Sequence, residues 1–310
     1  MKIDLNKVKT YSIKQRLSKV KKDAFARPCA KGESFGAFLN SLPCILKAGD
    51  FRAVVEAIVK AKKKGKPVIL MMGAHVIKCG LNPLVIDLLK KKVISAIVLN
   101  GAGIIHDFEI AYQGKTSEDV AAALKLGSFG MGQETAEFLN QAINQGVRSG
   151  LGIGEAVGKA IAGGKLKYCK DSILSVCYRN NIPVSVQVAI GTDIIHQHPS
   201  FDGASTGEGS KRDFLKLAET VSKLGNGGVV LNFGSTVILP EVFLKALNLA
   251  RNLGYKAYNF TAANFDMVHH YRPQVNVVSR PTQDTGKGYY ITGHHEIMLP
   301  LLHRAVVEKL

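Results

Sequence analysis

The feature that most constrains this 310-residue chain is a rhythm: short β-branched apolar runs alternate with longer segments whose apolar residues recur every three or four positions. A run with no polar alternation is a strand buried on both faces, and such strands pair in parallel and need a helix to cross back each time. "KPVILMM" at 66–72 is the first strand, with "FRAVVEAIVKAKKK" as the helix before it and "NPLVIDLLKKK" as the helix after it. In the latter, Asn82 is expected to cap and Pro83 to occupy the first turn. "VISAIVLN" follows, then a helix-rich insertion at about 115–165. The rhythm resumes with "IPVSVQVAI", "GGVVLNF" and "KAYNFTA" as strands, "KRDFLKLAETVSKLG" and "LPEVFLKALNLARNLG" as helices between them, and "HHEIMLPLLHRAVVEKL" as the closing helix. The expected fold is α/β: a Rossmann-like parallel sheet of at least five strands with helices on both faces. It forms a single domain over 35–310, behind a basic N-terminal extension at 1–34.

In such sheets ligands bind beyond the carboxyl ends of the strands. The expected exit loops are "GAHVIKCG", "GAGIIHD", "GTDIIHQHPSFDGASTGEG", "GST" and "ANFDMVHHYRPQ". Glycine recurs where a backbone would approach a ligand closely and present its N–H groups, which favours a dinucleotide or another phosphate-bearing ligand. "GLGIGEAVGKAIAGG" at 150–164 is set apart, because it follows a helical segment and its spacing does not fit G-x-G-x-x-G. It reads as a loop entering a small-residue helix.

Charge and cysteine usage bound the function classes. The net charge of +17 is concentrated in the first 31 residues, "AKKKGK" and "LLKKKV". It would attract anionic partners, but no aromatic-interleaved RNA signature accompanies it, so a nucleic-acid function is not expected. No run of eighteen apolar residues and no signal-like leader is present, so no membrane partner and a cytoplasmic location are expected. The five cysteines lack close metal spacing and read as free thiols. Nine histidines, among them "HQH" and two "HH" pairs, leave a metal-dependent hydrolase as an alternative, although their spacing does not compose a ligand set and no metal is assigned.

"GAHVIKCG", "NGAGIIHDFE", "NNIPVSVQVAIGTDII" and "NFTAANFD" together resemble, in order and strand context, the deoxyhypusine synthase family over roughly residues 35–310. The resemblance implies a Rossmann-like fold, NAD as cofactor, and a homotetramer with sites at subunit interfaces. It also implies oxidation of an amine-bearing carbon followed by transfer of an aminobutyl group to a lysine. It assigns Gly101, Ala102, Gly103, Thr261, Ala262 and Asp266 to NAD and Asp193 to a substrate amine, while the strand-exit pattern adds Gly73, Gly234 and Ser235 to the cofactor set. Two family residues are unmatched: the chain reads "GSTVILPE", with Pro240, where the family has a histidine, and "VVSRPT" where it has a tryptophan and the reactive lysine. Deoxyhypusine synthesis is therefore not expected.

"GAHVIKCG" and "NGAGIIHDFE" also look like loops of NAD-dependent ornithine cyclodeaminase-type proteins, which oxidise an amino acid's amine to an imine. That likeness gives an amino-acid deaminase as one alternative, and a non-catalytic NAD-binding or scaffold protein is another. His106 and His75 are the candidate proton acceptors, joined by Asp193 as a catalytic candidate. Arg272, His269 and His270, facing Asp266 as the segment's only acid, lead to the expectation of a small anionic substrate bound there.

Overall fold

The structure, a computed structural model, describes residues 3–310. Six strands form one sheet: β1 (Val68–Met72), β2 (Ala96–Asn100), β3 (Val184–Gln187), β4 (Val229–Phe233), β5 (Thr261–Asp266) and β6 (Lys287–Thr292). All neighbours are parallel and their order is β3-β2-β1-β4-β5-β6, the order of doubly wound dinucleotide-binding folds. The sense in which successive strands are added along the sheet reverses between β1 and β4, so the exits of these two parallel strands flank the switch point.

The alternation inside β1 shows why both faces must be covered. Val68, Leu70 and Met72 enter the larger core, which also holds residues of α1 (Phe35–Ser41), α2 (Leu46–Lys63), α3 (His75–Lys78), α4 (Asn82–Lys90) and α5 (Gly101–Gln113). Further along, α7 (Gln133–Arg148), α8 (Ile153–Gly163) and α9 (Ile173–Arg179) pack into the same core, whereas α6 (Val120–Lys125) contributes no buried residue. Ile69 and Met71 enter the second core, against α10 (Gly203–Ser222) and α11 (Ile238–Asn252). A short α12 (Tyr271–Pro273) runs into a π-turn at Gln274–Ser279, and α13 (His295–Glu308) closes the chain on the first face.

Three sequence readings need correction. The fifth strand is not "KAYNFTA" but Thr261–Asp266, and a sixth, Lys287–Thr292, follows it. Thr261 and Ala262 consequently pair with Val229 and Val230 at the amino edge of the sheet, far from any strand exit, while Asp266 sits at the carboxyl end. Asn82 does not cap α4; it is the helix's first residue, and its amide donates to Asp107 Oδ1 at 3.3 Å and to the Asp171 carbonyl at 3.0 Å.

The third correction concerns "LNGAGIIHDFE". There is no loop after β2: Asn100 ends the strand, caps α5 by accepting from the Gly103 N–H at 3.2 Å, and Gly101 is already helical. A Cβ on Gly103 would lie 3.1 Å from Leu99 Cβ, so glycine lets the helix lie flat on its own strand. Asp107 is fully buried. Its carboxylate accepts from Ser172 Oγ at 2.5 Å, the Ile173 N–H at 2.8 Å, the Leu174 N–H at 3.1 Å and Asn82, tying α5 to the amino end of α9 and the start of α4.

Asp107→Ala leaves those buried donors without an acceptor. Hydrogen bonds to a charged group contribute about 1.5–3 kcal/mol each, so a loss of at least ~3 kcal/mol is expected from urea denaturation, with an unchanged m-value.

Candidate functional site

Two groups of polar side chains gather at the carboxyl edge of the sheet, and short α3 stands between them. The first lines a cavity of about 640 Å³ above the exits of β2 and β3. Its walls carry His106 and Glu109 from α5, Thr116 and Glu118 from the insertion, Thr135 from α7, and Asp193 from the loop after β3. His106 and Glu109 are one turn apart on α5 and so face the same way. Thr116 bridges them: its hydroxyl donates to Glu109 Oε2 at 2.6 Å and lies 2.6 Å from His106 Nδ1. Since the hydroxyl's one hydrogen goes to Glu109, its oxygen accepts from His106 Nδ1–H. His106 Nε2 is then the unprotonated nitrogen. Burial, helped by Lys78, lowers the His106 pKa against the opposing pull of Glu109, so the ring is a neutral acceptor at neutral pH.

Asp193 lies over the first turn of α5. A Cβ on Gly101 would meet Asp193 Oδ2 at 1.9 Å, so this glycine makes room for a side chain of the protein itself. Desolvation raises the Asp193 pKa to about 6, opposed by the Ala102 N–H. Its neighbour His196 accepts from the Gly191 N–H (3.0 Å) and the Asp193 N–H (3.3 Å) at Nδ1, leaving the proton on Nε2, 3.8 Å from Asp193 Oδ2. Both of those side-chain atoms are buried and unpartnered. Sequence reasoning missed Glu109 and His196, although "HDFE" and "DIIH" each place two polar groups one helical turn apart.

The second group stands above β1, β4 and β5. The backbones of the first two exits touch: Gly73 N–H donates to the Phe233 carbonyl, and a Cβ on Gly73 would lie 2.6 Å from the Gly234 carbonyl oxygen. Gly234 has φ +66°, and a Cβ there would meet His295 Nε2 at 2.4 Å. Ser235 is buried, and its Oγ accepts from the Leu239 N–H in the first turn of α11. His295, which the sequence offered only as half of the "HH" pair that opens the closing helix and not as a site residue, is buried with Nδ1 unpartnered, and desolvation lowers its pKa. His75 is exposed and its ring lies 5.7 Å from that of His295. Asp266 is buried with Oδ1 accepting from the Met267 N–H and Oδ2 unpartnered.

The structure therefore brings His106 and Asp193 together in one cavity and places His75 with Asp266, Gly234 and Ser235 in the neighbouring group. Lys78, also on α3, lines the cavity. The three residues expected to hold an anion are elsewhere. Arg272 is exposed and sits 3.6 Å from Glu241. His269 packs on Tyr290 with ring centroids 4.3 Å apart, and the His270 N–H donates to Tyr290 Oη. Among the described residues no group of three or more His, Cys, Asp or Glu side chains could hold a metal ion, and no helix is long and apolar enough to cross a membrane.

Fold and site together define a doubly wound α/β protein with a polar cavity at the carboxyl edge of its sheet. No protein-family model matches the chain, and no curated protein sequence matches it significantly. Solved structures do. A deoxyhypusine synthase candidate from Entamoeba histolytica superposes with a TM-score of 0.52 at 12% identity, covering 90% of this chain and 94% of that one. An LOR/SDH candidate from Methanococcus maripaludis S2 gives 0.52 at 18% identity over 90% of this chain and 71% of that one. Unliganded AgrE gives 0.54 at 15% identity over 86% of this chain, which spans 34% of AgrE. At these identities the likeness is one of fold, and it is the fold that the resemblance to deoxyhypusine synthases implies.

Burial lifts the carboxyl pKa of Asp107 and Asp193 to about 6 and of Asp213, on α10, to about 7. Each folded value exceeds the unfolded one near 4. These groups favour the folded chain fully below about pH 4 and progressively less as pH rises to about 7. Asp193→Asn removes one of the three titrations, and urea denaturation across that range should show a shallower decline in stability.

Proposed function

We propose that the chain is an NAD-dependent enzyme that oxidises the amine-bearing carbon of a small cationic substrate. The observation that carries this reading is the cavity itself: a neutral imidazole with its Nε2 free, set among carboxylates that outnumber the lysines. An anionic substrate is not favoured, because Arg272 is engaged by Glu241 outside the cavity.

The residues at the switch point suit a dinucleotide. Asp266 Oδ2 is a buried, unpartnered acceptor of the kind that binds a ribose hydroxyl, His295 Nδ1 is a second unsatisfied group beside it, and the Gly234–Ser235 turn leads into the amino end of α11. The start of α5 does not suit a phosphate, since the Asp193 carboxylate already lies there. Gly101, Ala102 and Gly103 are accordingly given to packing, and Thr261 and Ala262 to the far end of β5.

When bound, NAD supplies a hydride acceptor. The protein's own groups must then make the amine ready to lose that hydride. A protonated nitrogen has no lone pair to form the C=N bond, so a base must first remove its proton. His106 Nε2 is that base, with Thr116 and Glu109 holding its tautomer. Asp193 accepts hydrogen bonds from the substrate's cationic nitrogen, and Glu109 and Glu118 extend the negative wall. AgrE, one of the structural neighbours, is known in a ternary complex with ornithine and NAD+, a pairing of amine and cofactor of the kind proposed here.

Calorimetry with NAD is the first test, and Asp266→Ala should weaken binding about ten-fold, or ~1.4 kcal/mol. NADH absorbance with a panel of polyamines, diamines and amino acids is the second. His106→Ala should lower kcat by about a hundred-fold or more on any active amine while leaving NAD affinity intact. Absence of NAD binding overturns the proposal, and turnover of anionic compounds alone would return the substrate site to Arg272.

A further inference from the structure

Of the three carboxyls lifted by burial, Asp107, Asp193 and Asp213, two are met by donors of the fold itself. Asp107 accepts from Asn82, Ser172, Ile173 and Leu174, and Asp213 Oδ2 accepts from the Gly154 and Val186 N–H groups, each at 2.8 Å. Asp193 has only the Ala102 N–H near it; its Oδ2 is unpartnered and its side chain is 7% exposed. Facing that oxygen at 3.8 Å is Nε2 of His196, likewise unpartnered, on a side chain 4% exposed. A buried donor and a buried acceptor left unmatched opposite each other call for a reason other than stability.

The imidazole is fixed from several sides. Its Nδ1 accepts from two backbone N–H groups, which leaves the proton on Nε2, and its ring packs on Phe201 with centroids 4.8 Å apart. The 3-10 turn that carries it, Ile194–Gln197, is tied to α7 and to the segment before α7: the Ile195 carbonyl accepts from Asn140 Nδ2, and Gln197 Nε2 donates to the Phe129 carbonyl, each at 3.1 Å. Desolvation lowers the His196 pKa, so the ring is neutral at neutral pH. A neutral donor orients a carboxylate without cancelling its charge, whereas a lysine or arginine in its place would also repel a cation. Because Oδ2 is buried, a cation in the cavity reaches the carboxylate through Oδ1. The two oxygens therefore have separate tasks.

We propose, on the reading of the cavity as an amine site, that His196 is a positioning residue: its Nε2–H closes on Asp193 Oδ2 when a cationic substrate enters, and so holds Oδ1 toward the substrate's nitrogen. The gap to be closed is about 1 Å beyond the length of a hydrogen bond to a carboxylate. Contacts of this kind are commonly long before the substrate binds and tighten in the complex.

Two substitutions separate this role from a merely structural one. His196→Asn keeps an acceptor near the place of Nδ1 and cannot reach Oδ2, while His196→Gln puts an N–H near the place of Nε2. Calorimetry on the NAD-loaded full chain, with 1,4-diaminobutane and ornithine as the probes, should show His196→Asn weakening amine binding about ten-fold at unchanged NAD affinity, with His196→Gln within about three-fold of the unsubstituted chain. Added to Asp193→Asn, His196→Asn should have no further effect. Carbon NMR of the chain labelled at its aspartate carboxyls, with Asp193→Asn identifying the resonance, gives a readout that needs no amine. Loss of an N–H facing the charged form raises a carboxyl pKa, so the Asp193 titration should move up in His196→Asn and stay in place in His196→Gln. Lys78 of α3, His106, Glu109 and Tyr112 of α5, Lys115 and Glu118 of the insertion and Glu134 of α7 line the cavity with Asp193 and are the same in both variants. If neither amine binds the unsubstituted chain, the amine reading of the cavity falls, and the titration still decides whether His196 holds Asp193. Equal effects of the two substitutions on amine affinity, or an Asp193 titration that His196→Asn leaves in place, overturn the proposal.

Discussion

Much of the site depends on one buried carboxylate. Asp107 gathers donors from Asn82, Ser172 and the first turn of α9, and in doing so fixes the rotation of α5 about its axis. That rotation decides what the helix shows to each side. With Asp107, Ile104, Phe108 and Ala111 turned into the core, His106 and Glu109 necessarily turn toward the cavity. The carboxylate pays for its burial with a pKa raised to about 6, which its four donors only partly offset. A carboxylate placed there is an anchor whose value lies in the geometry of the residues beside it.

Glycines at strand exits were legible in the sequence, but their purpose was not. A glycine needed for a ligand and a glycine needed for a neighbouring backbone look alike in one dimension. Gly73 is small because the Gly234 carbonyl lies against it, Gly101 because Asp193 does, and Gly103 because Leu99 does. In each case the contact comes from a residue distant in sequence or from the strand just left behind. Only the folded sheet reveals which reading applies.

The parallel sheet and its two helical layers were legible because buried strands have to be continuous apolar runs. β1, β2 and β4 are buried throughout or nearly so, and their sequences say as much. β6 was missed because it is an edge strand, with Lys287 and Gly288 exposed and only Tyr290 and Ile291 buried. β5 was misplaced because "TAANFD" is small and polar, suited to pairing between two strands, where Asn264 accepts from the Asn232 amide at 2.6 Å. Of the site, His106 and Asp193 could be named from their positions at predicted strand exits. His295 could not, since its helix belongs to the last turn of the chain and reaches the switch point only through the fold.

Net charge proved a poor guide to the cavity. The chain carries +17, yet Glu109, Glu118, Glu134 and Asp193 stand together around one opening, with Lys78 and Lys115 the lysines among them. Exposed lysines on helix faces are screened within about 10 Å at 0.1 M salt, so their sum says little about the potential inside a recess. What a bound molecule meets is the local set, held close and partly desolvated.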